Sequence, residues 1–264
     1  MTVLPSYRRS PRQILRAFTD PLHYRSLLRA CVVYRQPLDL LVRRYVCGGG
    51  AYPAVARLRA PGVTSLDIEI RSHYDVLTVQ EIFVWRCYPC TGQERVIVDL
   101  GANIGVSMLY FLTHAPLAHV IGIEPMNGNA QSARRNLSEF TARSTLTEAA
   151  VMHYDGDVTF LTEPTGRYSG VARREGTPMT YHCVDINRLL DETAQRHGRI
   201  DLMKIDIEGA EGLVLSAMTD EAYSSIDRIA VEGDDFPLQR LAAAGFQHTV
   251  HRSGVHWFHR ADAD

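Results

Sequence analysis

The sequence predicts an α/β fold: a mostly parallel sheet with helices on both faces and a C-terminal antiparallel hairpin. An extension of helices and short strands precedes it. Three observations carry this expectation. The stretch Val96-Ile-Val-Asp-Leu-Gly-Ala-Asn-Ile-Gly105 runs from an apolar strand through an acid into a Gly-rich turn, and a helix-like segment follows. Beyond it, apolar strand-like runs and helical stretches alternate as far as Glu232. The tail, Phe246 to Arg252 and Val255 to Arg260 around Ser253-Gly254, reads as two strands joined by a tight turn.

From Pro11 to Val46 the pattern is helical, with breaks near Pro21 and Pro37. Ile14, Leu15 and Phe18, then Leu27, Leu28, Cys31 and Val32, recur at helical spacing among arginines. Residues 1–46 hold nine arginines and two acids, whereas the rest of the chain holds 19 basic and 28 acidic residues. Two readings follow. The segment is a helical cap with solvated arginines, or a basic amphipathic surface for anionic lipid or an acidic partner, which is a peripheral membrane contact. Gly48-Gly-Gly50 reads as a hinge, so residues 1–50 form a basic extension and 51–264 one domain, which opens with a cap over 51–94.

In that cap, Val55, Leu58, Val63, Leu66, Ile68 and Ile70 suit a hairpin around Pro61-Gly62. Asp75 to Tyr88 reads as a helix with Val76, Val79, Ile82, Phe83 and Trp85 facing inward. Core strands are expected at 95–99, 119–124, 146–151, 201–206 and 227–232, and helices at 105–113, 127–139, 185–196 and 209–218. The Gly- and Arg-rich stretch from Asp155 to Thr180 reads as a mobile lid or plain surface loop.

The spacing after the first core strand is D-x-G-x-x-x-G, not G-x-G-x-x-G. A pyrophosphate cradle wants bare backbone N–H groups and no carboxylate at the strand tip. Asp99 at that tip suits a ligand without phosphate and with positive charge; S-adenosylmethionine, with an ammonium and a sulfonium, fits. Glu124 closes the next strand 25 residues later, where an acid takes ribose hydroxyls in dinucleotide folds. Leu202-Met-Lys-Ile-Asp-Ile-Glu-Gly-Ala-Glu211 is a second acid-tipped strand. Lys204, Asp206 and Glu208 would share one face, with Lys204 neutralising a buried carboxylate, and Glu211 would open the following helix. Ligands of open α/β sheets bind outside the carboxyl ends of the strands, where Asp99, Glu124, Asp206 and Glu232 would gather.

These motifs, VDLGANIG, GIEP and LMKIDIEGAE in that order, together with His73-Tyr-Asp-Val-Leu-Thr-Val-Gln-Glu-Ile-Phe upstream, resemble the FkbM family of S-adenosylmethionine-dependent methyltransferases. The resemblance runs from about residue 52 to 260 and leaves out the N-terminal arm. It implies a Rossmann-like class I methyltransferase fold and O-methylation of a hydroxyl on a sugar, glycolipid or natural-product acceptor. By position, Asp99, Gly101, Asn103 and Gly105 become methionine and loop contacts, and Glu124 the ribose acid. Asp206 and Glu208 become the acidic tip beside the transferred methyl. Ala102 and Ala150 complete the candidate cofactor set. The family does not fix the base; Asp206 is the first candidate, with His73 and Glu232 behind it, and a structural role for His73 is an equal reading.

Other features set bounds. No run of eighteen apolar residues occurs and the N-terminus lacks an apolar signal core, so no membrane span or secretion signal is expected. Five cysteines without framework spacing suit a reduced, cytoplasmic setting, and Cys87-Tyr-Pro-Cys90 reads as two partly buried thiols. The bias to arginine, with Lys204 the only lysine, suits a GC-rich bacterial genome. The eleven histidines show no metal-ligand spacing, and on a hairpin the spacing of His248, His251, His256 and His259 places some of them on opposite faces. A magnesium site at Asp206 with Glu232 or Asp234 remains an alternative. The acidic body argues against nucleic acid and for a small-molecule, sugar or lipid-linked acceptor; homo-oligomerisation is left open. Two rivals stand beside methyl transfer: a nicotinamide-dependent oxidoreductase and a non-catalytic binding module of the same fold.

Overall fold

A computed structural model describes residues 21–45, 50–162, 176–233, 236–251 and 254–260. Ile14, Leu15, Phe18, most of the Gly48–Gly50 hinge, Ser253 and Asp234 lie outside them, as does the centre of the 155–180 stretch.

Two helices open the described chain, α1 (Pro21–Val33) and α2 (Pro37–Tyr45), separated where Pro37 lacks an N–H for continuation. Strands β1 (Ala54–Leu58) and β2 (Leu66–Ile70) pair antiparallel in the hairpin expected around Pro61-Gly62. Helix α3 (His73–Val79) starts at a capping box: Ser72 Oγ accepts from the Asp75 N–H, and the Asp75 carboxylate accepts from the Ser72 N–H. The helix expected to reach Tyr88 passes into one π turn, Gln80–Trp85, and stops at Arg86, whose φ of 55° is left-handed. Trp85 is therefore 39% exposed rather than inward, its indole N–H bonded to Ser26 Oγ at 2.8 Å. The same break turns Tyr88 into the core.

The central sheet has seven strands: β3 (Val96–Leu100), β4 (His119–Ile123), β5 (Ser144–Thr147), β9 (Leu202–Ile205), β10 (Arg228–Val231), β11 (Phe246–Val250) and β12 (His256–Arg260). Their order is β11-β12-β10-β9-β3-β4-β5; β3, β4, β5, β9 and β10 run parallel, and β12 is antiparallel to both neighbours. Counted from β3 this is 3-2-1-4-5-7-6, the dinucleotide-fold order with an antiparallel strand inserted before the last. The order reverses between β3 and β9, and such switch points hold ligands. Strand β3 is buried at every position, as an apolar run in the middle of a parallel sheet must be.

Helices α4 (Val106–His114), α5 (Asn127–Asn136), α6 (Ile186–His197) and α7 (Glu211–Ala217) make the crossovers, with short α8 (Asp220–Ser224) and α9 (Leu238–Ala243). Asp185 caps α6, accepting from the Arg188 N–H at 2.9 Å. One apolar cluster joins α1, α2 and the cap to the α4 face of the sheet, through Ala30, Tyr34, Leu40, Ile68, Phe83 and Phe111. A second, around Val98, Leu190, Met203, Val214 and Ile229, fills the opposite face.

Two expectations fail here. The stretch placed as one strand at 146–151 is two, β5 and β6 (Ala150–Met152). The described ends of the 155–180 stretch are not loop: β7 (Gly156–Thr162) and β8 (Thr177–Asp185) pair antiparallel, and β6 joins β8 in a second sheet. Val158 and Phe160 of β7 and Met179, Tyr181 and Cys183 of β8 alternate with polar residues, a period-two signal that flanks the Gly- and Arg-rich middle of the stretch. An Asp155–Arg188 pair, at 2.5 and 2.9 Å, ties the base of the arm to α6.

Candidate active site

The parallel register sets Asp99 of β3 directly opposite Lys204 of β9. Opposed residues of adjacent parallel strands project to the same face, so the two side chains meet. Lys204 Nζ lies 2.9 Å from one Asp99 oxygen and 2.8 Å from the Gly101 carbonyl, and Ser107 Oγ donates to the other Asp99 oxygen at 2.5 Å. Both charged groups are buried. Burial pushes the Asp99 carboxyl upward while Lys204 and Ser107 pull it down. Burial works against the Lys204 ammonium, but Asp99, Asp206 and Glu232 outweigh it and hold the lysine above its ordinary range. Asp99 is therefore part of a hidden ion pair that pins the loop, not the ligand-facing acid expected. The reading of Lys204 as the neutraliser of a buried carboxylate is what the geometry shows.

The loop after β3 is turned inward as well. Gly101 and Ala102 both donate to the Ile123 carbonyl at 3.0 Å, Asn103 donates to Glu124 Oε2 at 2.9 Å, and Gly105 donates to the Ala102 carbonyl at 2.8 Å. These four N–H groups already have acceptors, so they form no phosphate cradle. Gly101 has φ of 85°, and a Cβ built there would stand 1.8 Å from the Asp206 carbonyl oxygen. Only glycine lets the β3 and β9 loops approach this closely. Gly105, at φ 85°, abuts Ala133 of α5.

A cleft opens between these loops and β6, with about 620 Å³ of atom-free space, part of it open to solvent. Gly101, Asn103, Glu124, Ala150, Asp206 and Glu208 of the sequence-predicted set line it, together with apolar Ile123, Met126, Val151 and Phe160. Ala102 and Gly105 shape the loop without lining the cleft, and Asp99 lies beneath it. His73 is not among the lining residues; its Nδ1 bonds the Arg43 carbonyl at 2.8 Å, so it is a structural histidine joining α3 to α2.

Glu124 dominates the cleft. Its Oε2 accepts from Asn103, and its Oε1 from the Met126 N–H at 3.0 Å and Asn129 Nδ2 at 3.3 Å. Burial outweighs those bonds and pushes its carboxyl up to about 7. Each carboxylate oxygen offers two lone-pair directions; Oε1 has both filled, and Oε2 keeps one for a hydroxyl donor.

Strand β9 stops at Ile205, and Asp206 begins a turn in which Glu208 is left-handed at φ 55°. Glu211 does more than open α7. Its buried carboxylate accepts from the Ile207 N–H at 2.9 Å and from the Gly209 N–H at 2.9 and 3.1 Å, which fixes the turn from below. Asp206 lies 3.7 Å from Lys204 Nζ and keeps 34% of its side chain exposed at the cleft. Next along the sheet edge, Glu232 accepts from the buried Tyr88 hydroxyl. Burial, reinforced by Asp206, pushes Glu232 up to about 7. Tyr88, Ser107 and Phe160 escaped the sequence reading. Ser107 lies eight residues past Asp99, at the start of the expected helix, whereas Tyr88 and Phe160 carry no local signal of their position. Among the described residues no group of three or more His, Cys, Asp or Glu side chains could hold a metal ion.

A sheet of this order, with an acid-lined cleft at its switch point and a buried carboxylate ending the second core strand, is a class I methyltransferase fold. The chain belongs to the FkbM methyltransferase domain family, whose model matches residues 99–255, more than half its length. It is 27% identical over 202 residues to Methyltransferase 1 of Beauveria bassiana, covering 66% of this chain and 81% of that protein. It is 28% identical over 190 residues to 31-O-demethyl-FK506 methyltransferase FkbM of Streptomyces tacrolimicus, covering 59% of this chain and 73% of that one. It is 26% identical over 197 residues to AMB antimetabolite synthetase AmbE of Pseudomonas aeruginosa, covering 59% of this chain but only 9% of that much longer protein.

Proposed function

We propose that this methyltransferase takes its methyl group from S-adenosylmethionine and transfers it to a hydroxyl of a small-molecule, sugar or lipid-linked acceptor. The observation that carries the reading is Glu124, a buried carboxylate at the end of β4, held by backbone N–H groups and open to the cleft. Its open Oε2 position suits a ribose hydroxyl, and a second can take the place of the longer Asn129 bond on Oε1. The N–H groups of Gly101, Ala102, Asn103 and Gly105, already bonded within the protein, support a nucleoside without pyrophosphate and weigh against a nicotinamide dinucleotide. Ile123, Met126, Val151 and Phe160 offer an apolar wall for a base. The bound cofactor would supply an electrophilic methyl carbon on a sulfonium.

The residues of this chain do the rest. Asp99, Lys204 and Ser107 fix the β3 loop, and Glu211 fixes the β9 turn, so that the two loops present one rigid rim. Asp206 stands on that rim, beside Lys204, and in this reading takes the proton that an acceptor hydroxyl must lose. Glu208 shares the rim. Alignment of the acceptor oxygen supplies much of the acceleration. The family member from S. tacrolimicus is named for an O-demethyl substrate, which favours oxygen as the acceptor atom.

Calorimetry with S-adenosylhomocysteine and NAD, followed by transfer of labelled methyl to a panel of hydroxylated acceptors, tests the reading. Binding of the first ligand alone and an alkali-stable methyl ether support it. Binding of NAD, or methyl label released by mild alkali as from an ester, refutes it.

A further inference from the structure

Helix α1 buries one face and leaves the other to solvent. Ala30 is fully buried, and Ser26, Leu27 and Val33 are half-buried towards the body. The outer face carries Leu28 at 69% exposure and Val32 at 70%, one turn apart, with exposed Cys31 and Tyr24 on the same stripe. Arg25 and Arg29 flank this stripe, both exposed, and among the described residues no carboxylate pairs with either. No acid occurs anywhere in the helix. The next helix, α2, repeats the exposed apolar pair with Leu38 at 78% and Val42 at 51%. A surface normally spends its exposed positions on polar residues, so a concentration of large apolar side chains marks an interaction face.

We infer that the outer face of α1 docks on the surface of an anionic lipid bilayer, with Leu28 and Val32 entering the headgroup boundary and Arg25 and Arg29 meeting lipid phosphates. The charge pattern selects this occupant. Pairing with a second copy through this face would set arginines against arginines with no acid on either helix. An acidic protein surface would satisfy the arginines but leave the Leu–Val stripe facing carboxylates. An anionic leaflet satisfies both, since apolar side chains pass the headgroups while arginines stay with them. Among the described residues no helix is long and apolar enough to cross a membrane, so the contact lies in the plane of the interface. The inference stands on α1 alone and is independent of the methyl-transfer reading.

The full-length protein should float with phosphatidylcholine–phosphatidylglycerol vesicles at low salt and release as salt rises. It should not float with phosphatidylcholine alone. Arg25→Gln with Arg29→Gln should weaken binding roughly thirtyfold, about fivefold for each arginine near a charged surface. Leu28→Gln with Val32→Gln should weaken it at least about tenfold. Both variants change exposed positions, so their melting temperature and their S-adenosylhomocysteine affinity should match the parent. Should either variant misfold, Leu28→Trp gives a second measurement: the emission of the added indole, taken as the difference from the parent, should be quenched by brominated lipid in anionic vesicles. Failure of the parent to bind anionic vesicles overturns the inference. So does unaltered binding by both Gln variants, or an added indole that brominated lipid leaves unquenched. A concentration-dependent dimer abolished by Leu28→Gln, without vesicle binding, would assign the face to self-association instead.

Discussion

Glu124 links the titration of one buried group to the affinity for a nucleoside ligand. In the ligand-free cleft its carboxyl is pushed up to about 7 by burial. Ribose hydroxyls donate hydrogen bonds, so they bind the ionised form and leave the protonated form with a donor facing a donor. Ligand binding must then lower this group's pKa, and affinity is full above pH 7 and lost as pH falls below it. With a free value near 7, the competing protonated fraction weakens binding about tenfold between pH 8 and pH 6. Glu124→Gln removes the charge and turns one amide donor towards either the Asn103 or the Met126 N–H. It should lose about 1.5–3 kcal/mol of ligand binding, roughly 10- to 100-fold, and lose the pH dependence with it. Folding should suffer less, because the substitution also removes a charge that is costly to bury. Calorimetric titration of S-adenosylhomocysteine across this pH range, on parent and variant, checks both effects. A parent affinity that is flat with pH, or a variant that keeps the slope, refutes the ribose assignment.

Further consequences follow from the same geometry. Gly101→Ala combines a left-handed φ with a Cβ 1.8 Å from a backbone oxygen, and should lower stability by about 3 kcal/mol or more, read as a large fall in melting temperature. Lys204→Met leaves the Asp99 carboxylate buried and unpaired, at about 3–5 kcal/mol, and Asp99→Leu in the same chain should recover much of that in denaturant titration. Asp206→Asn should reduce methyl transfer roughly 10²–10⁴-fold with little change in cofactor affinity; loss of cofactor binding instead would move Asp206 to the cofactor side. Glu232 is raised from 4.5 to about 7, so its contribution to stability is present below pH 4.5 and lost as pH rises through 7. Glu232→Gln, whose amide oxygen still accepts from Tyr88, should therefore gain on the parent by on the order of 2–3 kcal/mol between about pH 4.5 and pH 8.

The alternating core was legible because each strand is a short apolar run ending in an acid or glycine, and β3, β4, β9 and β10 lie within one or two residues of their expected places. Glu124 and Asp206 were legible for the same reason, since strand ends in a parallel sheet gather at one edge. Asp99 shows the limit. Its position at the strand tip is a local property, but its orientation depends on register against Lys204, 105 residues away. Spacing along the chain weights Asp99 and Glu124 equally; only the pairing shows that one faces inward and the other faces the cleft. His73 was singled out by a motif upstream of the core, yet its ring serves a helix contact. The β7–β8 arm failed for a different reason: its alternation, at Val158 and Phe160 and at Tyr181 and Cys183, is short and flanks a Gly- and Arg-rich stretch whose composition reads as loop.

The most direct test of the account is a crystal structure of the protein with S-adenosylhomocysteine. The ribose hydroxyls should lie within hydrogen-bond distance of the Glu124 carboxylate. The base should lie against the wall of Ile123, Met126 and Phe160, and the sulfur should point towards Asp206. A ligand bound elsewhere, or bound in this cleft with its ribose turned away from Glu124, would contradict it.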